Sequence, residues 1–221
     1  MQINDRFTRA RWLFGDNFEK LSKAKVLVCG CGGVGGVCID ALYRSGVVNL
    51  TVIDCDKFDI TNQNRQIGSQ FVGELKADVF TRLYPGILGL NLKLTKEIVE
   101  EFDFSKFDVV IDCIDDVPAK VEIAKKCHKK LLSSMGGAKR LDPTRIQVAS
   151  IWKTTNDPFA RKIRYELKKA GFKNDYKVVF STEMPNCKDL GSFIGVTASF
   201  GLNLASLCVQ KITVKSYLKS N

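Results

Sequence analysis

The segment that most constrains the fold is a short apolar run followed at once by glycines, at residues 25–36. Lys25–Cys29 (KVLVC) is rich in aliphatic residues, which is typical of a strand buried on both faces of a parallel sheet. After the glycines, Val37–Ser45 carries apolar residues at helical spacing, and Asn49–Asp54 (NLTVID) predicts a second strand. The segment is therefore a βαβ unit, and its right-handed crossover makes the two strands parallel.

The rest of the chain predicts alternating helices and strands. Helices are predicted at Lys76–Tyr84, Ala119–Lys130 and Asp157–Lys169, the last with Asp157 as its N-cap and Pro158 at its first position. Strands are predicted at Leu92–Ile98, Phe107–Asp112, Leu131–Ser134 and, from period-two alternation, Arg145–Trp152, which is expected to run antiparallel. The segment Gly191–Ile212 is long and apolar, but polar side chains interrupt it, so we expect a buried helix rather than a membrane span.

These elements predict an α/β fold: a Rossmann-like, mostly parallel sheet with flanking helices and an antiparallel extension in the second half. The chain has 221 residues, of which 45% are hydrophobic and 26% charged. That length and composition fit one domain over residues 1–221 and argue against a disordered or fibrous chain.

Eight cysteines and one histidine bear on metal binding and on the compartment. The cysteines form no Cys-x-x-Cys pair, which argues against structural zinc, and the polar N-terminal segment predicts a cytoplasmic protein rather than a secreted one. His128 lies among lysines and is expected at the surface. Six cysteines are interpreted as small core residues: Cys29, Cys31, Cys38, Cys55, Cys113 and Cys208.

The glycines lie where a strand ends and a helix begins, which is the context of a phosphate-binding loop. Glycine permits a tight turn and a close approach to a phosphate, and the amides of the helix N-terminus face the anion. Asp54 ends the second strand, where its carboxylate is placed to accept ribose hydroxyl groups. These features alone fit a nicotinamide or flavin enzyme as well as an ATP site.

Charged residues farther along the chain favour ATP. Arg65 and Lys76 follow the second strand, and such cations stabilise the charge that develops on a leaving pyrophosphate. The carboxylates of Asp112, Asp115 and Asp116 close a later strand, where ligands bind in open α/β sheets. Their hard oxygen atoms suit magnesium.

Several motifs together resemble the ubiquitin-activating-enzyme superfamily, the ThiF/MoeB-type adenylating enzymes. The matching motifs are RFTR at 6–9, the glycine loop, IDCD at 53–56, NQNRQ at 62–66, Lys76 and IDCIDD at 111–116. The resemblance implies that Asp54 binds ribose, that Asp115 holds magnesium, and that Arg9 reaches into the nucleotide site of a partner subunit, so that a homodimer is functional. The catalytic residues expected are Arg65, Lys76, Asp115 and, in trans, Arg9.

The predicted nucleotide site draws on both the glycine loop and the motifs that follow it. Its members are Gly30, Gly32, Gly33, Gly35, Asp54, Asp56, Asn62, Arg65, Gln66, Lys76, Asp115 and Asp116. Residues 1–117 are thus expected to be the ATP-binding half, and residues 118–221 the substrate and dimer half, with a basic insert at 153–177.

The second half, from GGAKRLDP at 136–143 to GVTASFG at 195–201, is similar to the threonylcarbamoyladenosine dehydratases of tRNA. That similarity implies ATP-dependent cyclisation of the modified adenosine through adenylation of its carboxylate, forming AMP and pyrophosphate. The main alternative is adenylation of the C-terminus of a sulfur-carrier or ubiquitin-like protein. A nucleic-acid-binding module without catalysis and a dehydrogenase are the other interpretations considered.

The positive charge is concentrated in one part of the chain. The formal net charge is +10, and residues 153–177 hold eight basic but only three acidic residues. Most such runs are solvated helix faces, but with the family resemblance a tRNA-binding surface is favoured over that interpretation, and no DNA partner is expected. The predicted tRNA contacts are Lys139, Arg140, Arg161, Lys162, Arg164, Lys168 and Lys169.

Cys187 lies in a polar loop, MPNCKDLG, where a thiol can be exposed. A covalent role, or sulfur transfer with a cysteine desulfurase partner, requires a lowered thiol pKa, and Lys188 is the only adjacent cation. Both a catalytic and a non-catalytic Cys187 stay open at this stage.

Overall fold

A computed structural model describes residues 4–214, apart from the side chain of Val214. Two short helices, α1 (Thr8–Phe14) and α2 (Asn17–Lys23), come before the first strand, β1 (Val26–Cys29). Helix α3 (Gly35–Arg44) then leads to β2 (Leu50–Ile53), which pairs with β1 in parallel. The βαβ unit predicted at the start of the chain is confirmed.

The remaining elements complete one sheet with helices on both faces. They are α4 (Lys76–Leu83), β3 (Leu88–Leu90), α5 (Lys96–Glu101), β4 (Val109–Asp112), α6 (Val117–Cys127), β5 (Leu131–Ser134), β6 (Ile146–Ser150), α7 (Pro158–Lys169), β7 (Lys177–Ser181) and α8 (Ile194–Val214). Within residues 4–214 the strand order is β3-β2-β1-β4-β5-β7-β6, and every pair is parallel except β6 with β7. The predicted fold class is confirmed, including the antiparallel extension.

Two apolar cores lie on opposite faces of the sheet, as the pattern of β1 requires. Val26 and Val28 belong to the core under α3 and α8, whereas Leu27 and Cys29 belong to the core under α6 and α7. All four side chains are fully buried. A central parallel strand covered on both faces has no polar face, which is why its sequence is continuously apolar.

The predicted strand at Leu92–Ile98 is wrong. The strand lies earlier, at β3, and α5 begins at Lys96 because the Thr95 hydroxyl accepts a hydrogen bond from the backbone N–H of Ile98 (3.4 Å). Strand β3 contains Gly89, where an added Cβ would lie 2.5 Å from Thr81 Oγ1 on α4. A strand that needs glycine to let a helix approach carries little β-forming signal in its sequence.

Helix α8 confirms the helix predicted at 191–212. It packs against α3 so closely that an added Cβ at Gly201 would lie 2.4 Å from the carbonyl oxygen of Val34. In the described part of the chain, no helix is both long enough and apolar enough to cross a bilayer.

The cysteine predictions are confirmed for four residues and wrong for one. Cys29, Cys31, Cys38 and Cys208 are buried, and burial raises the pKa of each thiol. Cys113 is half-buried. Cys55 is exposed, because it follows the end of β2 in the loop that leaves the sheet.

His128 is half-buried rather than at the surface. Its ring packs edge-on against Phe172, with the ring centroids 5.7 Å apart.

At Gly35, in the turn between β1 and α3, the backbone leaves no room for a side chain. An added Cβ there would lie 1.8 Å from the carbonyl oxygen of Gly30, so Gly35→Ala forces the loop apart. We expect the free energy of unfolding to fall by about 3 kcal/mol or more in denaturant titration. Gly32→Ala is the matched control, since its Cβ would meet nothing closer than 3.9 Å. Equal stability of the two variants would contradict this account.

Candidate nucleotide and substrate site

The glycine loop follows β1 and is held in place by Asp54. One carboxylate oxygen of Asp54 accepts the N–H of Cys31 (2.6 Å), and the other accepts the N–H of Asp56 (2.8 Å). Burial raises the pKa of this carboxyl, while the two N–H groups oppose the rise. Asp54 therefore links the start of the glycine loop to the end of β2, at the position predicted for ribose binding.

Gly30 lets the loop leave β1 beside the neighbouring strand. It has φ +94°, and an added Cβ would lie 3.1 Å from the carbonyl carbon of Cys113, just after β4. The loop consequently touches the segment that carries Asp115.

Lys76 begins α4 and points its ammonium group towards the loop after β2. Its Nζ lies 3.2 Å from a carboxylate oxygen of Asp56, and its backbone N–H donates to the Asp56 carbonyl. The lysine side chain is 8% exposed and the aspartate side chain 66%. A buried cation is thus held beside an open carboxylate at the carboxyl end of the sheet.

The segment 59–66 folds over the glycine loop. Asn62 Oδ1 accepts the N–H of Asp59 (3.1 Å), which closes a capping box on a turn of 3₁₀ helix. Arg65 Nη1 donates to the carbonyl of Thr61 (3.0 Å), and an added Cβ at Gly33 would lie 3.2 Å from Arg65 Cγ. The arginine stem therefore packs on a glycine of the loop.

Gln66 also reaches the glycine loop. Its Nε2 is the atom nearest to an added Cβ at Gly32, and its Oε1 is buried without a hydrogen-bond partner in the described part of the chain. The structure thus brings the predicted residues Arg65 and Gln66 together with the glycines.

At the end of β4 the three aspartates have different surroundings. Asp112 is fully buried, 2.8 Å from Lys120 Nζ, and accepts a hydrogen bond from the Ser133 hydroxyl (2.7 Å). Asp116 caps α6 by accepting the N–H of Ala119 (2.8 Å). Asp115 is exposed. The expectation that Asp112 serves magnesium is wrong, because its carboxylate is enclosed and already neutralised by a lysine.

Lys120 was missed by the sequence analysis. It is 1% exposed, and its ammonium group also donates to the Ile114 carbonyl (3.0 Å). The available signal was a lysine flanked by Ala119 and Val121 in a predicted helix, eight residues after an aspartate. The ion pair fixes the path of the segment that carries Asp115.

A cavity of about 520 Å³ opens beside Asp115 at the carboxyl ends of β4 and β5. Its walls come from five places: Val34 in the glycine loop, residues 113–115 after β4, the turn at 134–140, the start of α7 at 157–159, and the loop at 185–190. The cavity therefore shares two walls, Val34 and Asp115, with the predicted nucleotide site.

Arg140 lies inside the protein, which corrects its predicted role as a tRNA contact. It is 3% exposed, its Nη2 lies 3.2 Å from Asp157 Oδ2, and its Nε donates to the Glu183 carbonyl (2.9 Å). The Arg140 and Asp157 atoms face each other without a well-directed hydrogen bond. Burial raises the pKa of Asp157, which the arginine opposes. Arg140 therefore braces the cavity wall.

The other predicted tRNA contacts divide into two groups. Arg164 is half-buried and donates to the carbonyl of Thr154 (3.0 Å), and half-buried Lys139 donates to the carbonyl of Lys188. Both side chains are thus engaged by the protein. Four side chains on α7 are exposed: Arg161, Lys162, Lys168 and Lys169.

Cys187 is exposed on a loop that borders the cavity. Its thiol donates to the carbonyl of Asp189 (3.2 Å). The Glu183 carboxylate accepts the N–H groups of Leu141 and Asp142 and ties this loop to the turn after β5. Arg9 is exposed on α1, and its contact with a partner's site stays a prediction.

Comparison with known proteins gives a family for nearly the whole chain. Residues 7–216 match the ThiF family model. The tRNA threonylcarbamoyladenosine dehydratase of Bacillus subtilis is 38% identical over 81% of this chain and 76% of its own length. That of Haemophilus influenzae is 32% identical over 90% of both chains.

A solved structure agrees with these relatives. The Escherichia coli tRNA N6-threonylcarbamoyladenosine dehydratase in complex with ATP superposes with a TM-score of 0.91, at 31% identity, over 97% of this chain and 96% of the other. The match thus extends across both halves of the sheet. The chain belongs to the ThiF family, in which it groups with the tRNA threonylcarbamoyladenosine dehydratases.

Proposed function

We propose that the protein catalyses the ATP-dependent dehydration and cyclisation of threonylcarbamoyladenosine in tRNA, with ATP cleaved to AMP and pyrophosphate. The observation that carries the proposal is the position of the cavity. It opens between Asp115 and Val34 of the glycine loop, so a substrate group bound there lies beside the phosphates of a nucleotide on that loop. Two relatives, which this chain matches over 76% and 90% of their own lengths, carry this activity in their names.

The chemistry has two steps. In the first, the threonyl carboxylate attacks the α-phosphorus of ATP, and pyrophosphate leaves to give an acyl adenylate. In the second, the neighbouring carbamoyl group attacks the acyl carbon, the ring closes and AMP leaves. Ring closure needs no protein nucleophile, because the two reacting groups are held together within the substrate.

Arg65 and Lys76 are the groups proposed to stabilise the leaving pyrophosphate. Arg65 packs on the glycine loop, and Lys76 is a buried cation beside the open carboxylate of Asp56. A fixed cation in a site that excludes water stabilises developing charge more than a mobile cation in solvent does. Asp54 is proposed to hold the ribose, and Asn62 and Gln66 to complete the phosphate contacts.

The residues fit magnesium without forming a preassembled cage. In residues 4–214 no three acidic, histidine or cysteine side chains are grouped to hold an ion. Magnesium is commonly held by one or two carboxylates together with substrate phosphates, and Asp115 is an exposed carboxylate at the cavity mouth. When bound there, the ion would neutralise phosphate charge.

The finer assignments of the sequence analysis are part of the proposal. We infer a homodimer in which Arg9 completes the partner's nucleotide site, and a cytoplasmic location. A cysteine desulfurase partner requires a reactive Cys187, and the loop supplies the exposure that such a thiol needs.

The function is tested by exchange of labelled pyrophosphate into ATP. We expect exchange that depends on tRNA carrying threonylcarbamoyladenosine and is absent with the same tRNA lacking the modification. The reason is that the label enters ATP by reversal of the first step, and that step requires the attacking carboxylate of the modified base. Exchange that depends instead on a carrier protein with a C-terminal glycine would support the alternative function, and conversion of the modified tRNA without AMP formation would contradict the mechanism.

Lys76→Ala is expected to lower the exchange rate about 10²- to 10³-fold, the usual cost of removing one fixed donor from a charge-stabilising site. Lys106→Ala is the control, since that side chain is 74% exposed in the turn that precedes β4, at the other edge of the sheet. Thermal unfolding of both variants checks that they are folded. A folded Lys76→Ala variant with full exchange would remove the lysine from the mechanism.

Cys187→Ser is expected to retain full turnover of modified tRNA, because ring closure proceeds within the substrate. Cys55→Ser, the other exposed cysteine of the described chain, serves as the matched control. A loss of more than about tenfold with Cys187→Ser alone, which is about 1.4 kcal/mol of transition-state stabilisation, would restore the covalent role.

A further inference from the structure

We propose that the exposed face of α7 is the docking surface for the unpaired RNA strand next to the modified nucleotide, and that Tyr165 at its centre stacks on a base. The inference rests on the proposed function, which supplies RNA as the substrate. Neither the charge count nor the family resemblance identifies Tyr165 as a contact residue or indicates the direction from which the RNA approaches.

The arrangement around Tyr165 follows from helix geometry. Residues three and four positions apart are neighbours on a helix surface. For Tyr165, all four of these neighbours are exposed cations: Arg161, Lys162, Lys168 and Lys169. The opposite side of α7 packs into the core through Ala160, Ile163 and Leu167, so the orientation of the helix is fixed. The tyrosine side chain, 64% exposed, therefore stands inside a ring of positive charge.

None of these four cations forms an ion pair within residues 4–214, although the half-buried Glu166 lines the same groove as Lys162 and Lys169. Arg164, on the same helix, differs from these four cations because its guanidinium group donates a hydrogen bond to the carbonyl of Thr154. A cluster of unpaired like charges costs stability through repulsion, which a bound polyanion relieves.

The position of α7 connects this face to the cavity. Asp157, Pro158 and Phe159 at its N-terminal end line the cavity, and Tyr165 lies six residues farther, about 9 Å along the axis at ~1.5 Å per residue. A groove between α6 and α7 includes Lys162 and Lys169 in its walls and begins at Val117, two residues after Asp115. A strand whose modified nucleotide enters the cavity therefore passes over this face.

The exposed aromatic ring favours unpaired RNA over other polyanions. Exposed cationic side chains alone suit a duplex, an acidic protein or a single strand equally well. Stacking on an aromatic side chain requires a base whose face is free, and such stacking is the usual partner of basic side chains in single-strand recognition. The unpaired loop that carries the modified adenosine offers such bases.

The inference is tested by fluorescence anisotropy with the full chain. The probes are an RNA hairpin whose unpaired loop carries threonylcarbamoyladenosine and a fully paired RNA of the same length. We expect Tyr165→Ala to weaken hairpin binding roughly 5- to 100-fold, the effect of losing one stacked base, and Tyr165→Phe to restore it. Binding of the duplex should not change in either variant. Thermal unfolding verifies that Tyr165→Ala is folded.

Salt dependence separates stacking from charge. The double variant Lys168→Gln/Lys169→Gln should lower the slope of log affinity against log salt concentration by about 0.7 for each phosphate that the two lysines no longer neutralise. Tyr165→Ala should leave that slope unchanged. Lys23→Gln/Lys106→Gln removes the same charge from exposed positions at the amino edge of the sheet and should alter neither slope nor affinity.

Unchanged hairpin affinity in Tyr165→Ala, or an equal loss for hairpin and duplex, would overturn the stacking role. An unchanged salt slope in the double lysine variant would overturn the docking surface. Failure of the proposed function is detected by a different measurement. If that function is wrong, pyrophosphate exchange by the wild-type chain does not depend on modified tRNA, but the variants can still differ from the wild type in hairpin binding.

Discussion

The close approach of the glycine loop to its surroundings is the constraint on which the site depends. At Gly30, Gly33 and Gly35 an added Cβ would lie within 3.4 Å of other atoms. These atoms belong to the segment after β4, to Arg65, to Thr197 on α8 and to the loop itself. Helix α8 adds a fourth close approach through Gly201, which lies against Val34. Side chains at these positions would separate β1, the 59–66 segment and α8, and Arg65 would no longer pack on the glycine loop.

The buried ion pair of Asp112 and Lys120 fixes the segment after β4, at the carboxyl end of the sheet. Removing two charges from water is costly unless each is paired and its remaining hydrogen-bonding capacity is used. Here the carboxylate also accepts from Ser133, and the ammonium group also donates to Ile114. The pair therefore ties β4, β5 and α6 together and leaves Asp115 as the carboxylate directed to the cavity. Neighbouring aspartates in one motif thus have unlike roles.

Local signals in the sequence predicted the parts of the fold that carry strong periodicity. Strands β1, β2 and β4 are apolar runs between polar segments, and α7 begins with the capping pair Asp157 and Pro158. Strand β7 was not predicted, although Val178, Val179 and Phe180 form an apolar run of the same kind. The short helices α1, α2 and α5 have too few turns to show a clear period.

The site shows the same division between local and long-range information. The glycines, Asp54, Arg65 and Lys76 stand in motifs, so the sequence could predict them as site residues. The burial of Arg140 and Lys120 was not predicted, because charge alone does not reveal burial. Counting positive residues joins Arg140, Arg164 and Lys168 in one group. In the folded chain the first braces the cavity, the second holds a loop, and only the third faces solvent. A basic segment therefore offers its cations to solvent only where the helix turns them outward, and on α7 that direction is set by three buried apolar residues.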